Sequence, residues 1–161
     1  MATTIPVPIQ FSLPEGWVSV NPDEINTPEA AFVALHPGSR GGGFTPNITI
    51  TGELRDAEVP LNQIAAESVD RLRRGAHEVK LGRTTEGGTA ENPVYTQAVR
   101  VQVDLGGQPQ YLVQYQVFMV FVDTAEPDRR AVLQVVLTSK LDQFPQVIDD
   151  FQAFIDSIRP E

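Results

Sequence analysis

The chain has 161 residues, with 12 basic and 21 acidic side chains and a formal charge of −9. That length suits one hydrophobic core, and so acidic a surface disfavours nucleic acid and anionic lipid as partners. Hydrophobic residues make up 41% and charged residues 20%, enough apolar material to fold, while zero cysteines exclude disulfides, thiol nucleophiles, zinc ribbons and iron–sulfur clusters.

Met1 to Gln10 holds two prolines and no basic cluster, and reads as a flexible N-terminal arm (1–10) without a signal peptide, leaving 11–159 as one domain. No window approaches the roughly 18 apolar residues of a membrane-spanning helix. Phe11 and Leu13 then form a short strand that runs into the turn Pro14-Glu15-Gly16-Trp17, with Trp17 as an aromatic anchor. Ala30 to His36 is a strand ended by Pro37, and Gly38 to Gly43 is a mobile connection. From Asn47 to Leu54 the pattern alternates, with Ile48, Ile50 and Leu54 on one face and Asn47, Thr49, Thr51 and Glu53 on the other.

The period changes after Pro60. Leu61, Ile64, Ala65, Ser68 and Leu72 share one helical stripe, Gly75 is a C-terminal stop, and Glu67 with Arg71 and Asp70 with Arg74 are surface i,i+4 pairs. Four strands follow, Glu78 to Thr85, Val94 to Leu105, Gln110 to Asp123 and Ala131 to Ser139, with Gly106-Gly107 as a hairpin turn. Connections this short make consecutive strands antiparallel. The last two strands are apolar on both faces, which predicts central positions covered on both sides. A final helix begins near Asp142 and carries Phe144, Val147, Ile148, Phe151, Phe154, Ile155 and Ile158 on one stripe, opposite Asp149, Asp150, Gln152 and Asp156. The fold class is α+β: a single-domain α/β/α sandwich with a twisted antiparallel sheet of six to seven strands and helices packed on it.

The inventory for catalysis is thin. His36 and His77 are the only histidines and stand in no metal-ligand spacing; His36 reads as a surface residue before a turn, and His77 as a helix-end cation. Gly38 to Gly43 matches neither a Walker nor a Rossmann loop, and Ser39 lies in no nucleophile elbow. No catalytic residue, cofactor or metal is assigned. Gln97, Gln102, Gln108, Gln110, Gln114, Gln116 and Gln134 crowd the strand region with Tyr95 and Arg100, the composition of a neutral polar sheet face or of a binding groove.

The stretch Phe11-Ser12-Leu13-Pro14-Glu15-Gly16-Trp17 resembles the "L-P-x-G-W" entry of the PsbP/Mog-like superfamily. Ala31 to Leu35, Asn47 to Thr51, the helix beyond Pro60, the Gln110 to Asp123 strand and a closing Phe151 to Pro160 helix follow in the same order. The chain looks most similar to the actinobacterial LpqN-type proteins, with the DcrB and Eag-chaperone types as relatives. The resemblance implies a non-enzymatic scaffold that docks on other proteins, and one branch shields hydrophobic segments of secreted effectors. LpqN-type members are commonly lipoproteins, whereas this sequence has no cysteine to acylate, so the expected location is the cytoplasm.

The leading expectation is thus a protein-binding adaptor or chaperone-like domain whose partner meets a sheet face or the sheet–helix groove, with a secreted effector or a secretion component as the candidate partner. Tyr95, Arg100, Tyr111, Gln114 and Tyr115 are the expected partner-binding residues, since aromatics and arginine dominate binding hot spots. Two alternatives stand beside it. One is a carrier of a small apolar ligand, between the sheet and the last helix near Phe118, Met119, Phe151 or Phe154. The other is an enzyme centred on His36 and the glycine loop.

Overall fold

Two glycines close the longest hairpin: Gly106 and Gly107 have φ of 59° and 82°, the left-handed pair that matches the twist of flanking antiparallel strands. In the computed structural model, which describes residues 9–25, 30–39, 44–76, 78–89, 92–122 and 128–160, this turn joins two of nine strands. These are β1 (Ile9–Gln10), β2 (Val18–Val20), β3 (Phe32–Leu35), β4 (Asn47–Asp56), β5 (Glu78–Gly88), β6 (Pro93–Leu105), β7 (Gln108–Val122), β8 (Arg129–Lys140) and β9 (Arg159–Pro160). Helix α1 (Leu61–Gly75) stands between β4 and β5, and α2 (Phe144–Ser157) between β8 and β9.

Seven strands form one sheet in the order β2-β3-β4-β8-β7-β6-β5, and every neighbouring pair is antiparallel. The chain climbs β2, β3 and β4, crosses by α1 to the far edge at β5, and meanders back until β8 lies against β4. The doubly apolar runs β7 and β8 are therefore internal, as their composition predicts.

Alternation then distributes side chains to two layers. Trp17, Ala34, Ile48, Ile50, Val117, Leu133, Val135 and Leu137 share a core with Val147, Phe151, Phe154 and Ile158 of α2 and its C-cap. On the opposite face Phe118, Val120 and Val132 pack with Leu61, Ile64 and Ala65 of α1, and Val99 and Val101 with Val69. Neighbours such as Val117 and Phe118 fall into different layers because successive strand side chains point oppositely. The result is an α/β/α sandwich. Phe151 and Phe154 are fully buried, each worth about 1.5–3 kcal/mol by area.

Several details differ from the sequence reading, beginning with β2 at Val18–Val20, which it does not include. Phe11 and Leu13 lie outside any strand and pack on the α2-side core; the strand is Ile9–Gln10, which pairs with Arg159–Pro160. The closing helix accordingly ends at Ser157 rather than Pro160, where proline can terminate an edge pair. Glu67 reaches across to Arg55 of β4, Nη1 to Oε1 at 2.8 Å and Nη2 to Oε2 at 3.0 Å, instead of bonding to Arg71. Asp70 pairs at i,i+3 with Arg73, at 3.7 Å. The arm expected at 1–10 falls largely on residues 1–8, outside the described residues, as do His77 and the glycines at 41–43.

Candidate functional site

Neither helix covers its whole face of the sheet. α1 lies over β6 and β5, and between it and the middle of the sheet runs a groove of about 520 Å³. Its floor comes from β4 and β8, through Thr49, Thr51, Val132, Gln134 and Val136, and its wall from Ile64, Ser68 and Arg71 of α1. Strand parity explains the mixture: Thr51 and Gln134 are register partners on one face, and alternation gives that face to polar residues along β4 and to apolar ones along most of β8.

A chain of amides ties this groove to the interior. Gln97 and Gln116 are only 2% and 1% exposed. Gln97 Nε2 donates to the Ala65 carbonyl at 3.0 Å and to Gln116 Oε1 at 2.7 Å, and Gln116 Nε2 donates to Gln114 Oε1 at 2.8 Å. Gln114 ends the chain at the groove wall, and Gln134 Nε2 donates to Ser68 Oγ at 2.8 Å from the floor. Thus part of the glutamine cluster anchors α1, and part faces the groove. Beside it, the Arg55–Glu67 fork with Glu53 at 3.1 Å joins β4 to the helix. Hydrogen bonding to Arg55 holds the Glu67 carboxyl below the ordinary range, and the Glu67 contact raises the Arg55 guanidinium in turn.

The five residues expected at a partner surface divide between the faces. Tyr95 stands on the α1 side, edge-on to Phe118 with ring centroids 6.5 Å apart, and lines a second hollow of about 410 Å³ with Pro60, Leu61, Glu86 and Arg130. Gln114 is on the same side at the main groove. Arg100 and Tyr111 are on the α2 side and share a hollow of about 150 Å³ with Glu78, Lys80 and Gln102. Tyr115 is on that side too, but beneath α2, with ring centroids 5.8 Å from Phe151 and 6.2 Å from Phe144. The fold brings Arg100 and Tyr111 together, and parity separates them from Tyr95 and Gln114. That division was legible, because residues 114 and 115 must face oppositely in one strand. Lys80, Thr51 and Arg71 were missed: strand register places the first two, and the packing of α1 beside the groove places the third.

Residues named for the alternative readings lie as follows. Phe118 faces α1, not α2. Phe154 meets Phe11 at 5.1 Å and Phe32 at 6.2 Å, so rings fill the space under that part of α2. His36 is not a surface residue: it lies half-buried against Trp17, ring centroids 4.8 Å apart, and its Nδ1 is buried without a partner among the described residues. Trp17 Nε1 donates to Asp150 at 3.0 Å, which places Asp150 at the contact with the N-terminal turn rather than on the solvated face. Among the described residues no group of three His, Cys, Asp or Glu could hold a metal ion, and no helix is long and apolar enough to cross a membrane.

No family model matches the sequence, and no curated protein does. Solved structures do match. LpqN, described as involved in cell envelope biogenesis of Mycobacterium tuberculosis, superposes with a TM-score of 0.65 at 10% identity, over 93% of this chain and 81% of its own. The cyanobacterial PsbP of Synechocystis gives 0.63 at 14% identity, over 95% and 86%. The Saccharomyces cerevisiae Ran-binding protein Mog1p gives 0.54 at 12% identity, over 94% and 89%. With a seven-stranded antiparallel sheet between two helices and these neighbours, the chain has the PsbP/Mog-like fold, with LpqN-like structural relatives.

Proposed function

We propose that this chain is a non-enzymatic binding domain, an adaptor or chaperone-like module that takes a segment of a protein partner in the groove between α1 and strands β4 and β8. The observation that supports this reading is the lining of the groove. Leu72 and Val136 offer apolar contact, Thr51, Gln114 and Gln134 offer uncharged donors and acceptors, and Glu53 and Arg71 add one charge of each sign. Such a surface suits a peptide, whose backbone needs hydrogen-bond partners and whose side chains need apolar area. One neighbour in fold, Mog1p, is described as Ran-binding, which supports protein binding as a use of this scaffold; fold alone does not transmit it. A secreted effector or a secretion component in the cytoplasm is the partner class we favour. LpqN is described by its role in the cell envelope, so fractionation of the native host is part of the test.

A photo-reactive amino acid placed at Gln134, in the groove, and separately at Gln152, on the exposed face of α2, tests the proposal in the native host. A discrete adduct from position 134 and not from 152, whose protein rebinds the purified chain but not its Thr51→Trp variant, is the expected result. No adduct at 134, or the same adducts at both positions, refutes the groove.

A further inference from the structure

The hollow on the α2 side of the sheet holds a second feature, which the groove does not use. Lys80 of β5 and Arg100 of β6 are directly opposed in register, and both are exposed. Opposed like charges on one sheet face repel, and neither cation has an acidic partner within ion-pair distance among the described residues. The whole chain has only two lysines and a charge of −9, so an unrelieved cation pair is against its general composition. Tyr111, 46% exposed and the register partner of Gln102, stands beside them in the hollow. β5 is the edge strand, so no further strand of the sheet flanks this site.

We propose that this hollow receives a glutamate or aspartate carboxylate from an acidic segment of the partner protein. Two cations and Glu78 leave it with a net charge of +1, which matches one carboxylate better than a dianionic phosphate. The guanidinium of Arg100 offers paired donors to a carboxylate, Lys80 a point charge, and Tyr111 a ring and a hydroxyl for the segment around it. The hollow, about 150 Å³, accommodates a side chain rather than a folded surface. The proposal deepens the protein-binding reading and rests on it, but involves the other face of the sheet.

The test uses a fluorescein-labelled octapeptide of alternating glutamate and serine, its glutamine counterpart and inorganic phosphate, by fluorescence anisotropy on the full chain. The glutamate peptide should bind at least about tenfold tighter than the glutamine one, and Lys80→Gln/Arg100→Gln should abolish about that preference. Thr51→Trp, in the groove, should leave it intact. Because the double variant removes a repulsion, its melting temperature should equal or exceed the parent's. Equal binding of the two peptides, displacement by phosphate as effective as by peptide, a concentration-dependent dimer broken by the double variant, or a lower melting temperature would each overturn the proposal. If the position-134 adduct forms while the peptide preference is absent, only this inference falls; if the preference holds without the adduct, only the groove does.

Discussion

Replacing Gln97 by leucine probes the buried amide chain at its root. The change preserves size but deletes the donor to Gln116 Oε1, 2.7 Å away, and the donor to the Ala65 carbonyl, 3.0 Å away. The Ala65 carbonyl lies within α1 and retains its helical bond, so its loss is small. Gln116 is almost wholly buried, and stranding its acceptor costs about 1–3 kcal/mol. The leucine recovers part of this by apolar burial, for a net loss of about 1–2 kcal/mol. At this chain length each kcal/mol moves the melting temperature by about 2–4 °C, so a fall of about 2–8 °C is expected. Gln97→Leu/Gln116→Leu removes the stranded acceptor as well. The remaining partner, Gln114, is half-buried at the groove wall, where water reaches it. The double variant should therefore be no less stable than Gln97→Leu alone, with a coupling of about 1 kcal/mol or more in a double-mutant cycle by urea denaturation. Losses that add to within about 0.5 kcal/mol would refute a connected network.

The Arg55–Glu67 fork predicts a pH signature. Because Arg55 lowers the folded-state pKa of Glu67, its contribution is present above the unfolded carboxylate pKa and disappears as pH falls through the folded one. The partners are partly exposed, so this is under about 1 kcal/mol; melting curves of Glu67→Gln and parent should differ at neutral pH and converge in acid, and a difference independent of pH would exclude the mechanism. Two glycines should respond with opposite signs. Gly107→Val, at φ 82°, should lose about 1–2 kcal/mol to left-handed strain. Gly75→Ala, with nothing within 4 Å of the new Cβ, should gain about 0.4–1 kcal/mol, both read by thermal denaturation.

Legibility of the fold followed the physics of each element. The α2 stripe was readable because seven apolar residues at helical spacing have one way to be buried together, and the structure buries Val147, Phe151 and Phe154 completely. The Gly106-Gly107 turn was readable because adjacent left-handed residues favour glycine. Ile9–Gln10 and Arg159–Pro160 were not: each is too short to carry a period, and they form strands only because the chain ends of the domain meet. Asp150 looked like surface because its partner, Trp17, is 133 positions away. Glu67 looked like half of a helical pair because Arg55, on another element, competes better with a two-bond geometry.

The candidate surfaces divide along the same line. Composition and strand parity set the class of fold, the central placement of β7 and β8 and, by alternation, the opposition of Arg100 to Tyr95 and of Tyr115 to Gln114. Which strands became neighbours depended on the α1 crossover to the sheet edge, a long-range choice that local pattern does not encode. That choice set Thr51 beside Gln134 beneath an open groove, whereas Lys80 meets Arg100 through the register of consecutive strands, which shifts between Leu81 and Thr84. Charge and periodicity are properties of residues in order, whereas a groove or a cation pair is a property of residues in register, and register is decided when distant strands bury their apolar faces together.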